Sequence, residues 1–190
     1  MMKKALFVFF SILFIATSCE RIDSHYTYEA TVPGTNVKEN QLYQNITFEE
    51  FQSATEGVRF EYVRPYPCII ENGKVYYSLG KENLYSGPYT RQVQFEGNSL
   101  HSYTFTPGYM DVRLTITDYT FDADKLTLHE MEHPYVTEGT VNKLIYVSND
   151  YLIFETNGIA DEAIYYTDKA DFCRVVYKRT DDLLIPEVIL

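Results

Sequence analysis

The strongest chemical pattern in this 190-residue chain is His129-Glu130-Met131-Glu132-His133. On a helix, residues i and i+4 share a face, so two imidazoles can reach one zinc ion at about 2.0 to 2.1 Å each while the intervening glutamate acts as a base. Here the run continues the alternation Leu126-Thr127-Leu128, and Pro134 follows the second histidine directly. Four residues of extended strand span about 13 Å, too far for both rings to hold one ion. No later histidine follows to complete a ligand set, which leaves Glu155 and Glu162 as the carboxylates that could be enlisted. The segment reads as a strand end with alternating charges. No metal is assigned, and a zinc peptidase is the least favoured function.

The remaining chemistry-bearing residues are sparse. Asp122-Ala123-Asp124 has two calcium-type carboxylates but lacks the other positions and the glycine of a calcium-binding loop, so it reads as a hairpin turn. Asn45-Ile46-Thr47 fits a glycosylation acceptor, yet Thr47 is better explained as a helix cap. The chain contains no Gly-rich phosphate loop, no Gly-x-Ser-x-Gly turn and no Cys-x-x-Cys pair. With no candidate nucleophile and no cofactor motif, the expectation is a non-enzymatic protein without a cofactor.

What must be positioned begins with the amino terminus. Met1-Met2-Lys3-Lys4 precedes an apolar run from Ala5 to Ala16, interrupted only by Ser11, and then Thr17-Ser18-Cys19. This is a charged n-region, an h-region and a small-residue cleavage site. The twelve apolar-region residues would span about 18 Å as a helix against a hydrocarbon core of roughly 30 Å, so the segment is a signal rather than a membrane span. Ala16-Thr17-Ser18-Cys19 resembles the lipobox of bacterial lipoproteins. The resemblance implies loss of residues 1 to 18 and diacylation of Cys19 with chains such as palmitate. Each buried CH₂ contributes about 0.8 kcal/mol, enough in two or three chains to hold a domain at a membrane. The expected location is the cell envelope, as an outer-membrane lipoprotein facing the periplasm or the cell surface.

Removing residues 1 to 18 takes the formal charge from −11 to −13, because Lys3 and Lys4 go with them. Nucleic acid is then a poor partner, since its binding rests on Lys and Arg neutralising phosphates. The 172 mature residues, in a chain that is 45% hydrophobic, suffice for one domain with its own core.

Residues 19 to 45 show no sustained periodicity and read as a lipidated tether, with one early strand near Tyr26 to Val32. Thr47 and Glu50 form a capping box, Ile46 and Phe51 a hydrophobic staple, and Gly57 a stop, which predicts a helix near residues 48 to 56. So short a helix needs a docking surface for Phe48 and Phe51, as a plug or a lid. From Val58 onward the chain alternates. Phe60 pairs with Tyr62, Val75 with Tyr77, Val93 with Phe95, Leu144 with Tyr146, Leu152 with Phe154 and Val175 with Tyr177, while Val112, Leu114 and Ile116 alternate with Arg113, Thr115 and Thr117. Turn signals at Asn72-Gly73, Gly97-Asn98, Pro107-Gly108, Asn149-Asp150 and Asn157-Gly158 separate the runs, too closely for crossover helices.

The expected fold is all-β: an antiparallel up-and-down meander closing into a barrel over residues 46 to 182, with a β-sandwich as the alternative. Asp118 to Leu128, Lys143 to Phe154 and Arg174-Val175-Val176-Tyr177-Lys178-Arg179 are similar in strand rhythm and turn placement to the lipocalin-like lipoproteins of Gram-negative bacteria. That resemblance implies a barrel of about eight strands with a helix near its mouth. The inward set is expected to include Val93, Phe95, Val112, Leu114, Ile116, Leu126 and Leu128, around an interior either filled by side chains or holding one small apolar ligand. Cys68 and Cys173 lie near the first and last strands, which are neighbours in a closed barrel, and export places them where a disulfide can form; separate buried thiols are the alternative. The chain has 18 tyrosines and no tryptophan. Among them Tyr76, Tyr85, Tyr89, Tyr103 and Tyr109 fall on polar faces or near turns, where they suit either an ordinary β surface or an envelope protein- or glycan-binding rim. Residues 183 to 190 form an apolar tail expected to lie along an edge or across one end of the domain.

Overall fold

The computed structural model describes residues 26–79, 90–106, 108, 111–122, 125–127, 142–156 and 170–186. Cys19, His129, His133, Glu162, Tyr85, Tyr89, Tyr109 and Leu128 lie outside them.

The one α-helix among them, α1 (Phe48–Thr55), starts where its capping chemistry requires. The Thr47 hydroxyl accepts the Glu50 amide at 3.2 Å, and the Glu50 carboxylate accepts the Thr47 amide at 2.9 Å. Gly57, at φ +70°, supplies the left-handed residue that ends the turn. Phe51 is wholly buried. Its ring stands edge-on to Phe95 at 4.9 Å and also meets Tyr119 and Phe121.

The strands are β1 (Tyr26–Tyr28), β2 (Arg59–Glu71), β3 (Lys74–Ser78), β4 (Thr90–Glu96), β5 (Ser99–Phe105), β6 (Val112–Asp118), β7 (Thr120–Asp122), β8 (Lys125–Thr127), β9 (Asn142–Val147), β10 (Tyr151–Thr156) and β11 (Phe172–Arg179). Nine of them form one antiparallel sheet in the order β6-β5-β4-β2-β11-β10-β9, with β3 also pairing β2 and β1 pairing β3. The β2–β3 connection is Asn72-Gly73, both at positive φ (52° and 71°), as a type I′ turn demands. β7 and β8 form a separate antiparallel pair with Asp122 opposite Lys125, and Ala123 and Asp124, where the sequence predicts a turn, lie outside the described residues.

This order is a meander whose first long strand pairs its last. β2 lies between β4 and β11, while the run of neighbours ends at β6 on one side and β9 on the other, so the sheet is open among the described residues. It is nevertheless curled. Phe60, Val93, Phe95 and Leu100 from one end meet Leu144, Leu152, Phe154 and Tyr177 from the other in a single core, with Phe51 of α1 among them. Only a concave sheet brings residues from distant strands onto one cluster. Pro65 and Pro67 sit in the stretch of β2 between Glu61, the last residue paired with β4, and Cys68, the first paired with β3. Among the described residues that stretch has β11 as its only partner, so the missing N–H groups forfeit no ladder bond on the other edge.

Two departures from the expected patterning follow from register. Leu144 and Tyr146 do not share a face: a bulge between Ile153 and Phe154 sets Leu144 opposite Phe154 on the concave side and Tyr146 opposite Ile153 on the convex side. Val112, Leu114 and Ile116 do not point inward either. Leu100, a core residue, is opposite Thr117, so the concave face of β6 carries Arg113, Thr115 and Thr117. Leu114 and Ile116 face outward and are 39% and 57% exposed. The pattern established that β6 is a strand, but the β5 register decided which of its faces turns to the core.

Candidate functional site

The convex face carries a second core, formed by Tyr66, Cys68, Tyr77, Ile145, Ile153, Phe172 and Val176 under Val32, Val37 and Leu42. Residues 26 to 45 are therefore not a free tether: β1 joins the sheet, and residues 30 to 43 lie across it as a strap. The strap folds back at Thr31 and Lys38, with the Val32 amide donating to the Val37 carbonyl at 2.8 Å. Gly34 makes that turn at φ +78°, and a Cβ there would stand 2.7 Å from the Tyr66 hydroxyl, so both conformation and space call for glycine. Three apolar side chains bury themselves to give the strap its affinity for the sheet, outweighing the tether-like composition around them.

Beneath the strap lies Arg174 of β11, whose side chain is fully buried. Register places it between Tyr66 of β2 and Glu155 of β10, on the convex face. Its Nη1 donates to the Glu39 carboxylate and to the Tyr77 hydroxyl, and its Nη2 donates to the Tyr43 hydroxyl at 3.3 Å. Tyr77 donates its proton to Glu39, and Tyr43 donates to Glu155. Arg174 Nε is buried without a hydrogen-bond partner among the described residues. Tyr43 holds the left-handed conformation at φ 60°, and its amide donates to the Ile145 carbonyl at 2.8 Å. One guanidinium thus joins β3, β10 and β11 to both ends of the strap's last turn.

Electrostatics keep this cluster in one protonation state. Burial alone would lower the Arg174 pKa, but the adjacent Tyr77 and Glu39 outweigh it and raise it above its usual value. Burial, reinforced by Glu155, pushes Tyr43 up to about 12. Burial raises Tyr77 as well, with Arg174 opposing and Glu39 adding to the rise. The phenols are neutral donors at physiological pH and the guanidinium is a cation. Such a group clamps a carboxylate in place. It holds no activated nucleophile.

Cys68 and Cys173 do lie on neighbouring strands, β2 and β11, but both are free buried thiols. Of the two alternatives, a disulfide or separate buried thiols, register parity gives the second. Cys68 is opposite Phe172 and Cys173 is opposite Pro67, so the two cysteines are one step out of register. Successive residues of a strand face opposite sides, which directs Cys68 into the convex core and Cys173 to the concave side. Burial raises the Cys68 thiol well above its ordinary value and pushes Cys173 up to about 12, so neither offers a thiolate near neutral pH.

The convex face of the β2–β4–β5 region is crossed by the C-terminal segment. Gln92 is the fastener: its Oε1 accepts the Leu184 amide at 2.9 Å, and its Nε2 donates to the Asp182 carbonyl at 2.5 Å. Arg59 donates to the Leu184 carbonyl at 2.8 Å while its guanidinium stacks 3.6 Å from the centre of the Tyr103 ring. Tyr103, a candidate rim residue by its place on a polar face, is therefore buried, whereas Tyr76 is partly buried against Tyr28 at 5.9 Å. Glu155 accepts from Tyr43 on the convex face. Among the described residues no group of three or more His, Cys, Asp or Glu could hold a metal, and no helix is long and apolar enough to cross a membrane.

Sequence reasoning missed Arg174 and Glu39, which it had placed in the closing strand and in the tether. One signal was available: Arg174 has the same parity as Phe172 and Val176, a charged residue inside an apolar stripe. A charge at such a position requires a buried partner. No family model, no curated protein and no solved structure matches this chain.

Proposed function

We propose that this protein is an envelope lipoprotein, anchored through Cys19, whose β-domain is a non-enzymatic binding module for a small apolar ligand. The observation that carries the ligand reading is the curled sheet with its first-to-last pairing of β2 and β11 around an aromatic core entered by α1. In this reading the β7–β8 hairpin completes the wall between β6 and β9, giving a lipocalin-like barrel. Phe48 and Phe51 of α1 occupy the ligand's place and swing aside as a lid. A fluorescent apolar probe titrated into the purified protein should bind with one site per chain, and Phe51→Ala should tighten that binding by opening space beside Phe95. No saturable binding to either form, with no molecule extracted from protein purified from its host, would end the apolar-ligand reading.

The anchor is tested separately. Cys19→Ser should release the protein from membranes and abolish labelling by a fatty-acid probe. Unchanged fractionation would refute lipidation. A second reading, a protein- or glycan-binding module, is favoured by Tyr28 and Tyr76 paired edge to face, with Lys74 5.2 Å above the Tyr28 ring. A glycan array with Tyr28→Ala as control discriminates between the two.

A further inference from the structure

The convex face of β6 presents an apolar stripe. Val112, Leu114 and Ile116 stand opposite Phe105, Tyr103 and His101 of β5, and on its other side β6 has no partner strand among the described residues. An exposed apolar stripe invites association, and an acidic exported protein gains nothing from leaving it in water. The C-terminal segment approaches this same surface. Leu184 is pinned by Gln92 and Arg59, Arg59 lies on Tyr103, and Tyr103 is directly opposite Leu114. The described chain ends at Pro186, and Glu187-Val188-Ile189-Leu190 remains.

We propose that this terminal segment, residues 187 to 190 of the same chain, is the cover of the β6 stripe. Reach permits it: β4 and β6 are separated by two strand spacings, about 10 Å, and the six residues after Leu184 extend to about 20 Å. Chemistry favours it, because three of the last four residues are aliphatic and Pro186 cannot donate into a central ladder. Tethering favours it over a separate partner, since a short linker holds the tail at an effective concentration on the order of millimolar. The three polar contacts at Gln92 and Arg59 then act as the clasp that aims the tail across β5.

Proximity cross-linking tests this in the full mature chain carrying Cys19→Ser, whose two remaining cysteines are buried. Ile116→Cys combined with Val188→Cys should form an intrachain link with a short bifunctional maleimide. The yield should exceed by about tenfold that of Val188→Cys with Ile70→Cys, at the far end of β2. Equal yields, or links found only between chains, would overturn the proposal, the second outcome assigning the stripe to another copy. A chain lacking residues 187 to 190 supplies an independent reading without added cysteines. Its β6 amides should exchange about tenfold faster, and unchanged exchange would also overturn it.

Discussion

Replacing Glu39 with glutamine removes the one carboxylate bonded to Arg174 among the described residues while leaving an amide oxygen that can still accept from Tyr77. The perturbation is therefore a loss of charge, with little loss of shape. Breaking a buried ion pair by removing one partner costs about 3 to 5 kcal/mol, because the surviving charge stays desolvated. The Glu39 side chain is 23% exposed, which places the effect at the low end of that range, while Arg174 has no exposure through which water could compensate. For a domain of this size about 3 kcal/mol lowers Tm by roughly 6 to 12 °C. The strap should open before the sheet does, so the amides of Val32, Leu42 and Tyr43 should exchange about a hundredfold faster. Arg174→Met should cost less, since it removes the buried charge itself and frees Glu39 to rotate into water. In the double variant most of the Glu39→Gln penalty should vanish, a coupling of about 2 kcal/mol. The assay is thermal and urea unfolding of all four proteins with amide exchange on the strap. A Tm change below about 2 °C for Glu39→Gln, or strictly additive variants, would show that the pair does not hold the strap.

Phe51→Ala empties the centre of the concave core and should cost about 3 to 5 kcal/mol in urea unfolding; a loss under about 1 kcal/mol would mean that the helix is not part of the folding core. A thiol reagent should find Cys68 and Cys173 unreactive in the native protein and should label both after unfolding without reductant, whereas no labelling would reveal a disulfide. Alkaline stability follows from the raised thiol and phenol. Cys173 moves from 9.0 to about 12 and Tyr43 from 10.0 to about 12, so between those values the unfolded chain releases protons that the folded chain retains. Their stabilisation is complete below pH 9 and is lost as pH rises to about 12. Urea midpoints should fall over that window, and Cys173→Ala should flatten the lower part of the fall; an identical profile in the variant would contradict the assignment.

The sequence by itself determined what local chemistry can determine. The Thr47–Glu50 capping box set the start of α1 and Gly57 its end, because a cap is a contact among residues three apart. Asn72-Gly73 set the β2–β3 hairpin for the same reason, and alternation marked β2, β4, β6, β10 and β11 as strands. Facing was another matter. Alternation divides a strand into two sets of side chains without saying which set is inside, and the β5 register turned the apolar set of β6 outward. The cysteines missed each other by one residue of register, although the pairing of their two strands was foreseen. Arg174 and Glu39, 135 residues apart in the chain, carry no local mark of their partnership. Only folding the strap onto the convex face brings them together, because a buried guanidinium is tolerable solely where a carboxylate from elsewhere in the chain arrives to neutralise it.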